Sequence, residues 1–225
     1  MRGSPATDTR GRVLGAATTL FASKGFRATT IRDIASRARV NVASGHYHFG
    51  SKKTLYLAVL REQFATIRQA LAVRGGHPTI DDQRRLSRRS LEERFRVRVQ
   101  AMLDLQIGVE AVPHPALFNR EMADPTEAVP LIVREFLAPL MDEMAAILAQ
   151  LAPTVSPQTI ERCCLSVAGQ AHFYFTTRPA LLHMWGMRAY PAHLTRDLAE
   201  HITAFSLGGL DRIERDARRR HRGTR

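Results

Sequence analysis

Apolar residues recur along this chain at the helical intervals of three and four. Val13, Leu14, Ala17, Leu20 and Phe21 form the first such stripe. "SKGFRATT" ends it, with Gly25 suited to a helix C-cap and Thr29 or Thr30 to the cap of the next helix. In "TTIRDIASRAR", Ile31, Ile34, Ala35 and Ala38 share one face, narrow enough for another helix to cross closely. A brief turn at 39–41 leads into "VASGHYHF", a segment of about two helical turns. Ser51 then caps a long amphipathic run, "SKKTLYLAVLREQFATIRQALA".

The polar stretch at 74–90 reads as a connection. "LEERFRVRVQAMLDLQIGVEA" follows, with Phe95, Val99, Met102, Leu103 and Gln106 on a broad face, and Pro113 and Pro115 end it. "PALFNREMADPT" is a short helix broken by Pro125. The spacing then predicts one strong helix over 126–151 and another over 157–176. A short segment, "PALLHMWG", and a last long helix within "PAHLTRDLAEHITAFSLGGLDRIERDA" complete the pattern. The expected fold is all-α. Its first three short helices, with a tight turn between the second and third, describe a helix-turn-helix module whose reading helix is residues 42–48.

Charge sharpens this picture. Of the formal net +12, residues 1–60 carry ten Lys/Arg against Asp8 and Asp33, and residues 211–225 carry seven Arg against Asp211, Glu214 and Asp216. The 150 residues between them are balanced. No Asp or Glu lies between Asp33 and Glu62, a span that holds Arg37, Arg39, Lys52, Lys53 and Arg61. Focused positive charge attracts polyanions, most often nucleic acid. In residues 42–48, His46, Tyr47 and His48 supply donors and flat surfaces, and Ser44 a hydroxyl. Phe49 reads as core. The C-terminal "RRRHRGTR" fits either added non-specific DNA affinity or a disordered tail.

Other chemistries find little support. Cys163 and Cys164 are adjacent and unsuited to a disulfide framework, so reduced thiols in a cytoplasmic protein are expected. His114, His172, His183, His193 and His201 lack metal-ligand spacing, and no GxSxG, P-loop or dinucleotide fingerprint occurs. No catalytic residue, metal or cofactor is expected. No apolar run is long enough to span a membrane, and the start lacks a signal peptide.

The ordered series "AATTLFASKGFRATTIRDIASRARVNVASGHYHFGSKKTLYLAVL" resembles the TetR/AcrR family of bacterial transcriptional regulators. "NREMADPTEAVP" is similar to the branch typified by CecR. The resemblance implies a homodimer with a DNA-binding domain at 1–55, a larger effector-binding and dimerisation domain at 56–217, and a basic tail at 218–225. It implies a repressor released from a pseudo-palindromic operator by a small-molecule effector. Carried over by position, Thr30 would anchor a phosphate and Arg32 would reach a base or phosphate. Val42, Ala43 and Ser44 would line the groove edge, His46 and Tyr47 would touch bases or backbone, and His48 and Lys52 would meet phosphate.

Gly45 stands where the family has Leu or Ile, and His46 replaces the usual Tyr. With a glycine penalty of roughly 1 kcal/mol, the recognition helix is expected to be mobile without DNA. Candidates for an interhelical effector pocket are Met102, Gln106, Phe118, Arg120, Glu121, Phe136, Gln170, Phe173 and Trp185, with Arg120 and Glu121 equally suited to structural pairing. In this family the last two long helices pair across a twofold axis. Ala168, Gly169 and Ala171 would allow close approach, and Leu198, Ile202, Phe205, Leu207 and Leu210 would supply apolar area, either there or in the core.

Overall fold

The computed structural model describes residues 5–41, 49–75, 86–108 and 115–223. Among them every regular element is a helix: α1 (Pro5–Ala28), α2 (Ile31–Ala38), α3 (Lys52–Gly75), α4 (Arg88–Ile107), α5 (Pro115–Ala123), α6 (Val129–Ile132), a π-helical turn (Val133–Leu137), α7 (Ala138–Leu151), α8 (Pro157–Thr176), α9 (Arg178–Met184) and α10 (Leu194–Gly223). The expected recognition helix, with Val42, Ala43, Ser44, Gly45, His46, Tyr47 and His48, lies outside the described residues.

Packing divides the chain into two compact units: Met1–Ile67 with Pro113–Leu137, and Arg68–Val112 with Ala138–Arg225. The first therefore gathers more than the N-terminal 55 residues, because α5, α6 and the π turn belong to it. Its core joins the predicted stripe of α1 (Val13, Leu14, Ala17, Phe21) to Ile34 and Ala38 of α2, and to Leu55, Tyr56, Val59, Leu60 and Phe64 of α3. Leu117, Leu131 and Ile132 close it from α5 and α6. Phe49 is buried there, as its apolar character predicts.

The second unit is built on α4. Phe95, Val99, Met102, Leu103 and Ile107 of that helix meet Met144, Ile147, Leu148 and Leu151 of α7. Ile160, Cys164, Val167 and Ala171 of α8 and Leu198, Ile202 and Leu210 of α10 complete the cluster. A buried Arg98 is matched by Glu143, 2.5 Å away. An uncompensated cation at that depth would be strongly destabilising.

Three expectations change. The helix foreseen over 126–151 is instead a short α6, a π turn and α7. Pro139 supplies the reason: it has no N–H for the Glu135 carbonyl and its ring crowds that carbonyl, so the turn before it widens. Second, Ala171, Leu198, Ile202 and Leu210, counted as possible interface, are all buried in the unit's own core. An amphipathic helix has room for a second stripe, and the outward ones here carry Leu165, Gly169 and Phe173 on α8 and Phe205 on α10. Third, α10 continues through residue 223, so 218–223 is helical where the sequence left a disordered tail open.

Candidate nucleic-acid interface

The site is assembled around the turn between α1 and α2. Gly25 adopts φ 83° and ψ 170°, a conformation that an L side chain resists. It bends the chain out of α1 and leaves a run of carbonyls near the helix C-terminus, where the macrodipole concentrates negative potential. Thr29 is fully buried, and its hydroxyl donates to Gly25 O at 2.7 Å and Leu20 O at 3.2 Å. The ambiguity between the two threonines is thereby resolved, and Thr30 is the N-cap of α2.

Thr30 and Asp33 form a reciprocal capping box: Thr30 Oγ1 accepts from Asp33 N, and Thr30 N donates to Asp33 Oδ2, both at 3.1 Å. The backbone and hydroxyl of Thr30 hold the Asp33 carboxyl below its ordinary range. Arg32 and Arg37 stand exposed on the same helix. Arg39 ends it in the left-handed region, φ 55°, and its N–H reaches back to Ala35 O and Ser36 O.

Ser51 caps α3 as expected, accepting from Thr54 N at 3.0 Å. Lys52 does something not foreseen. Its Nζ donates to Phe26 O at 2.9 Å and Thr29 O at 3.0 Å, with Arg27 O further off at 3.4 Å. The same ammonium lies 4.5 Å from the centre of the Phe26 ring. In this arrangement Lys52 clamps the α1–α2 turn to the start of α3, where the carbonyls of α1 outbid bulk solvent for the cation.

A second set of contacts comes from α5 and the residues after it. Arg120 lies so close to Gly25 that a Cβ there would sit 2.7 Å from its Nε. Arg27 pairs with Asp124 at 3.2 Å, Lys53 with Glu127, and Arg61 with Glu135 at 3.3 Å. At the centre, Glu121 is only 1% exposed. One carboxylate oxygen accepts from Thr126 N and Oγ1 at 2.7 Å each, and the other accepts from the Tyr56 hydroxyl at 2.6 Å. The Tyr56 ring packs edge-on to Phe21, 4.8 Å away, and beside Phe26 at 4.9 Å. Burial, then the bond to Glu121, raises the Tyr56 hydroxyl well above the ordinary tyrosine pKa.

The carboxylate-free span is therefore not awaiting an external anion everywhere. Part of its charge, on Lys53 and Arg61, is met by Glu127 and Glu135, which are distant in sequence. The sequence carries no local signal for these pairs, because each joins residues 74 positions apart.

The expected effector residues separate by unit. Phe118, Arg120, Glu121 and Phe136 belong to the first, where Phe136 stacks on Phe64 at 4.5 Å and meets Phe118 edge-on at 6.2 Å. Met102, Gln106, Gln170, Phe173 and Trp185 belong to the second. There Met102 is core, and Gln106 Oε1 lies 3.1 Å from His172 Nδ1. Burial lowers the His172 pKa, which favours a neutral ring donating from Nδ1. Gln170 reaches Ser206 Oγ at 3.4 Å. Phe173 is half-exposed and Trp185 sits 6.0 Å from the Tyr190 ring. Among the described residues no cluster of His, Cys, Asp and Glu could hold a metal ion, and no helix is long and apolar enough to cross a membrane.

Residues 13–59 match the family of bacterial regulatory proteins, tetR family, and residues 91–210 match the C-terminal domain of the HTH-type transcriptional dual regulator CecR. The HTH-type transcriptional repressor KstR2 of Rhodococcus jostii is 44% identical over 63 residues, covering 25% of this chain and 31% of the relative. The dual regulator CecR of Shigella flexneri is 28% identical over 151 residues, covering 61% and 62%. The aligned stretches thus span less than two thirds of these relatives. The crystal structure of a TetR-like transcriptional regulator from Rhodococcus sp. RHA1 superposes with a TM-score of 0.65 at 20% identity, covering 92% of this chain and all of the other, a likeness of fold. With the CecR-type domain alone matching more than half of its length, this chain belongs to the TetR family of transcriptional regulators.

Proposed function

We propose that the protein is a ligand-responsive repressor that binds a pseudo-palindromic operator as a homodimer and leaves it when a small molecule binds. The DNA contacts in this reading are Thr30, Arg32, Val42, Ala43, Ser44, His46, Tyr47 and His48, with Lys52 holding the turn that presents them and lying near phosphate. The effector is read by residues from the set Met102, Gln106, Phe118, Arg120, Glu121, Phe136, Gln170, Phe173 and Trp185. The protein works in the cytoplasm.

One observation carries the regulatory part. Residues 115–137 lie within the CecR-type stretch 91–210, yet they pack in the same unit as the helix-turn-helix. Tyr56–Glu121 is the buried joint of that packing. A ligand alters DNA affinity only by binding two conformations unequally, and α5 offers a route for that difference to reach the head. A coupling of about 1–3 kcal/mol would change operator affinity roughly 5–150-fold.

The twofold interface is supported by the outward stripe of α8 and α10. Leu165 and Phe173 are 57% and 53% exposed, and Phe205 is 68% exposed. Gly169, Gly208 and Gly209 share the exposed surface, leaving room for a close helix approach. Selection of bound sequences from a random duplex pool tests the whole reading. An inverted repeat with a fixed half-site spacing is expected. Recovery of unrelated sequences, or of none, would overturn it.

A further inference from the structure

The last turns of α10 form a basic rod that the reading above leaves unused. Leu210, Glu214 and Ala217 face inward and are buried. Arg212, Arg215, Arg218, Arg219 and Arg220 are exposed. Each nearby acid is already engaged. Asp211 accepts from Arg88 Nη2 at 2.6 Å, Asp216 from Arg212 Nε at 2.9 Å, and Glu214 from Arg218 Nε at 2.8 Å. Glu214 also takes the Thr154 hydroxyl at 2.7 Å. The Arg88 contact brings the start of α4, with exposed Arg89, beside the same end of α10. Seven arginines against three acids leave residues 211–225 with a net charge of +4.

A helix C-terminus favours a cation only within its last turn, and one or two arginines would meet that need. The run here extends over nearly three turns. We infer that this end of α10, centred on Arg215 and Arg219, is a second surface for the phosphate backbone of duplex DNA, contacted without regard to sequence. Three points select that partner. Arginine pairs with phosphate in a bidentate geometry. The rise from Arg215 to Arg219 is about 6 Å, close to two of the roughly 3.4 Å axial steps between phosphates of one strand. And the exposed positions between 211 and 221 carry no large apolar side chain, whereas a helix that lies on a membrane needs an apolar face.

The surface adds general DNA affinity that is independent of operator reading, so its test must survive failure of the head. The full-length protein and the variant Arg215→Gln/Arg219→Gln are titrated with a random-sequence duplex across a salt series. Both are measured again with Tyr47→Ala and Arg32→Ala added. The slope of log K against log salt is expected to become shallower by up to about 1.8, at about 0.9 for each phosphate no longer neutralised, in both backgrounds. Arg215→Lys/Arg219→Lys is expected to keep most of the slope, and all variants to melt at the parental temperature. An unchanged slope for the Gln variant would overturn the inference. So would a Lys variant as impaired as the Gln one, which would indicate a packing role. A dependence on these arginines seen with a polyglutamate peptide or with phosphatidylserine vesicles, but absent with duplex, would overturn it too.

Discussion

Tyr56→Phe removes a single oxygen from the first unit and leaves the aromatic packing on Phe21 and Phe26 in place. That oxygen donates at 2.6 Å to Glu121, a carboxylate 1% exposed. A hydrogen bond to a charged group contributes about 1.5–3 kcal/mol, and the orphaned Glu121 oxygen has no solvent to turn to, so the upper part of that range applies. For a chain of this size about 2–4 °C of melting temperature is lost per kcal/mol, which sets an expected drop of roughly 5–10 °C. The pair is best measured as a cycle with Glu121→Gln, whose amide cannot serve the Tyr56 hydroxyl and the two Thr126 donors equally. A coupling energy of about 1–2 kcal/mol is expected from such direct partners. Calorimetry or chemical denaturation reads stability, and operator titration reads whether a loosened α5 also shifts DNA affinity. A melting temperature for Tyr56→Phe within about 1 °C of the parent would refute the reasoning, since it would mean that the buried carboxylate does not depend on its tyrosine.

Alkaline pH probes the same bond. The Tyr56 hydroxyl is raised by burial and by Glu121, so the native state holds that proton more tightly than the unfolded chain. Its contribution is intact below the ordinary tyrosine value of about 10 and is lost as pH climbs toward the folded value; denaturation above that pH should be delayed in Tyr56→Phe relative to its own neutral stability. At the acid end, the Arg96 hydrogen bond lowers the Glu93 carboxyl, and for Glu214 burial pushes upward but is outweighed by Thr154 and Arg218. Stability from these groups is present above the ordinary carboxylate range and lost as pH falls through their lowered values, so the melting temperature should decline there, and with a smaller amplitude in Arg218→Gln. Gly25→Ala should cost about 1–3 kcal/mol in denaturant titrations, because the backbone strain at φ 83° remains even after Arg120 moves aside. Phe205→Glu should yield monomers in sedimentation and lose operator binding while keeping its helicity by circular dichroism. A Phe205→Glu dimer would remove α10 from the interface.

Local rules carried much of the architecture. The three-and-four spacing located α1, α2, α4 and α8, and the hydroxyl residues at 30 and 51 are caps because their side chains accept from the first-turn N–H groups of α2 and α3. What escaped was set by partners far along the chain. Which stripe of α10 faces inward depends on α4 and α8, and Leu198 and Ile202 could be placed only once those were known. The carbonyls that engage Lys52 belong to the backbone, which composition does not display. Glu121 could be read as a pocket residue or as structural, and Tyr56, 65 positions earlier, engages it as a structural partner. The π turn is invisible to an apolar period that runs unbroken through it, and only Pro139, lacking an N–H, marks the place.

The contacts that α5 and its flank make with the head bear on how such regulators are recombined. A chimera that joins a foreign effector domain at residue 55 would part Arg27 from Asp124 and Lys53 from Glu127, and would set an unmatched side chain against the bare backbone of Gly25. Residues 115–137 are better transplanted together with the first sixty-seven. Swaps that respect this set should keep the head's packing intact, and those that ignore it should yield proteins whose DNA-reading end is misaligned from the outset.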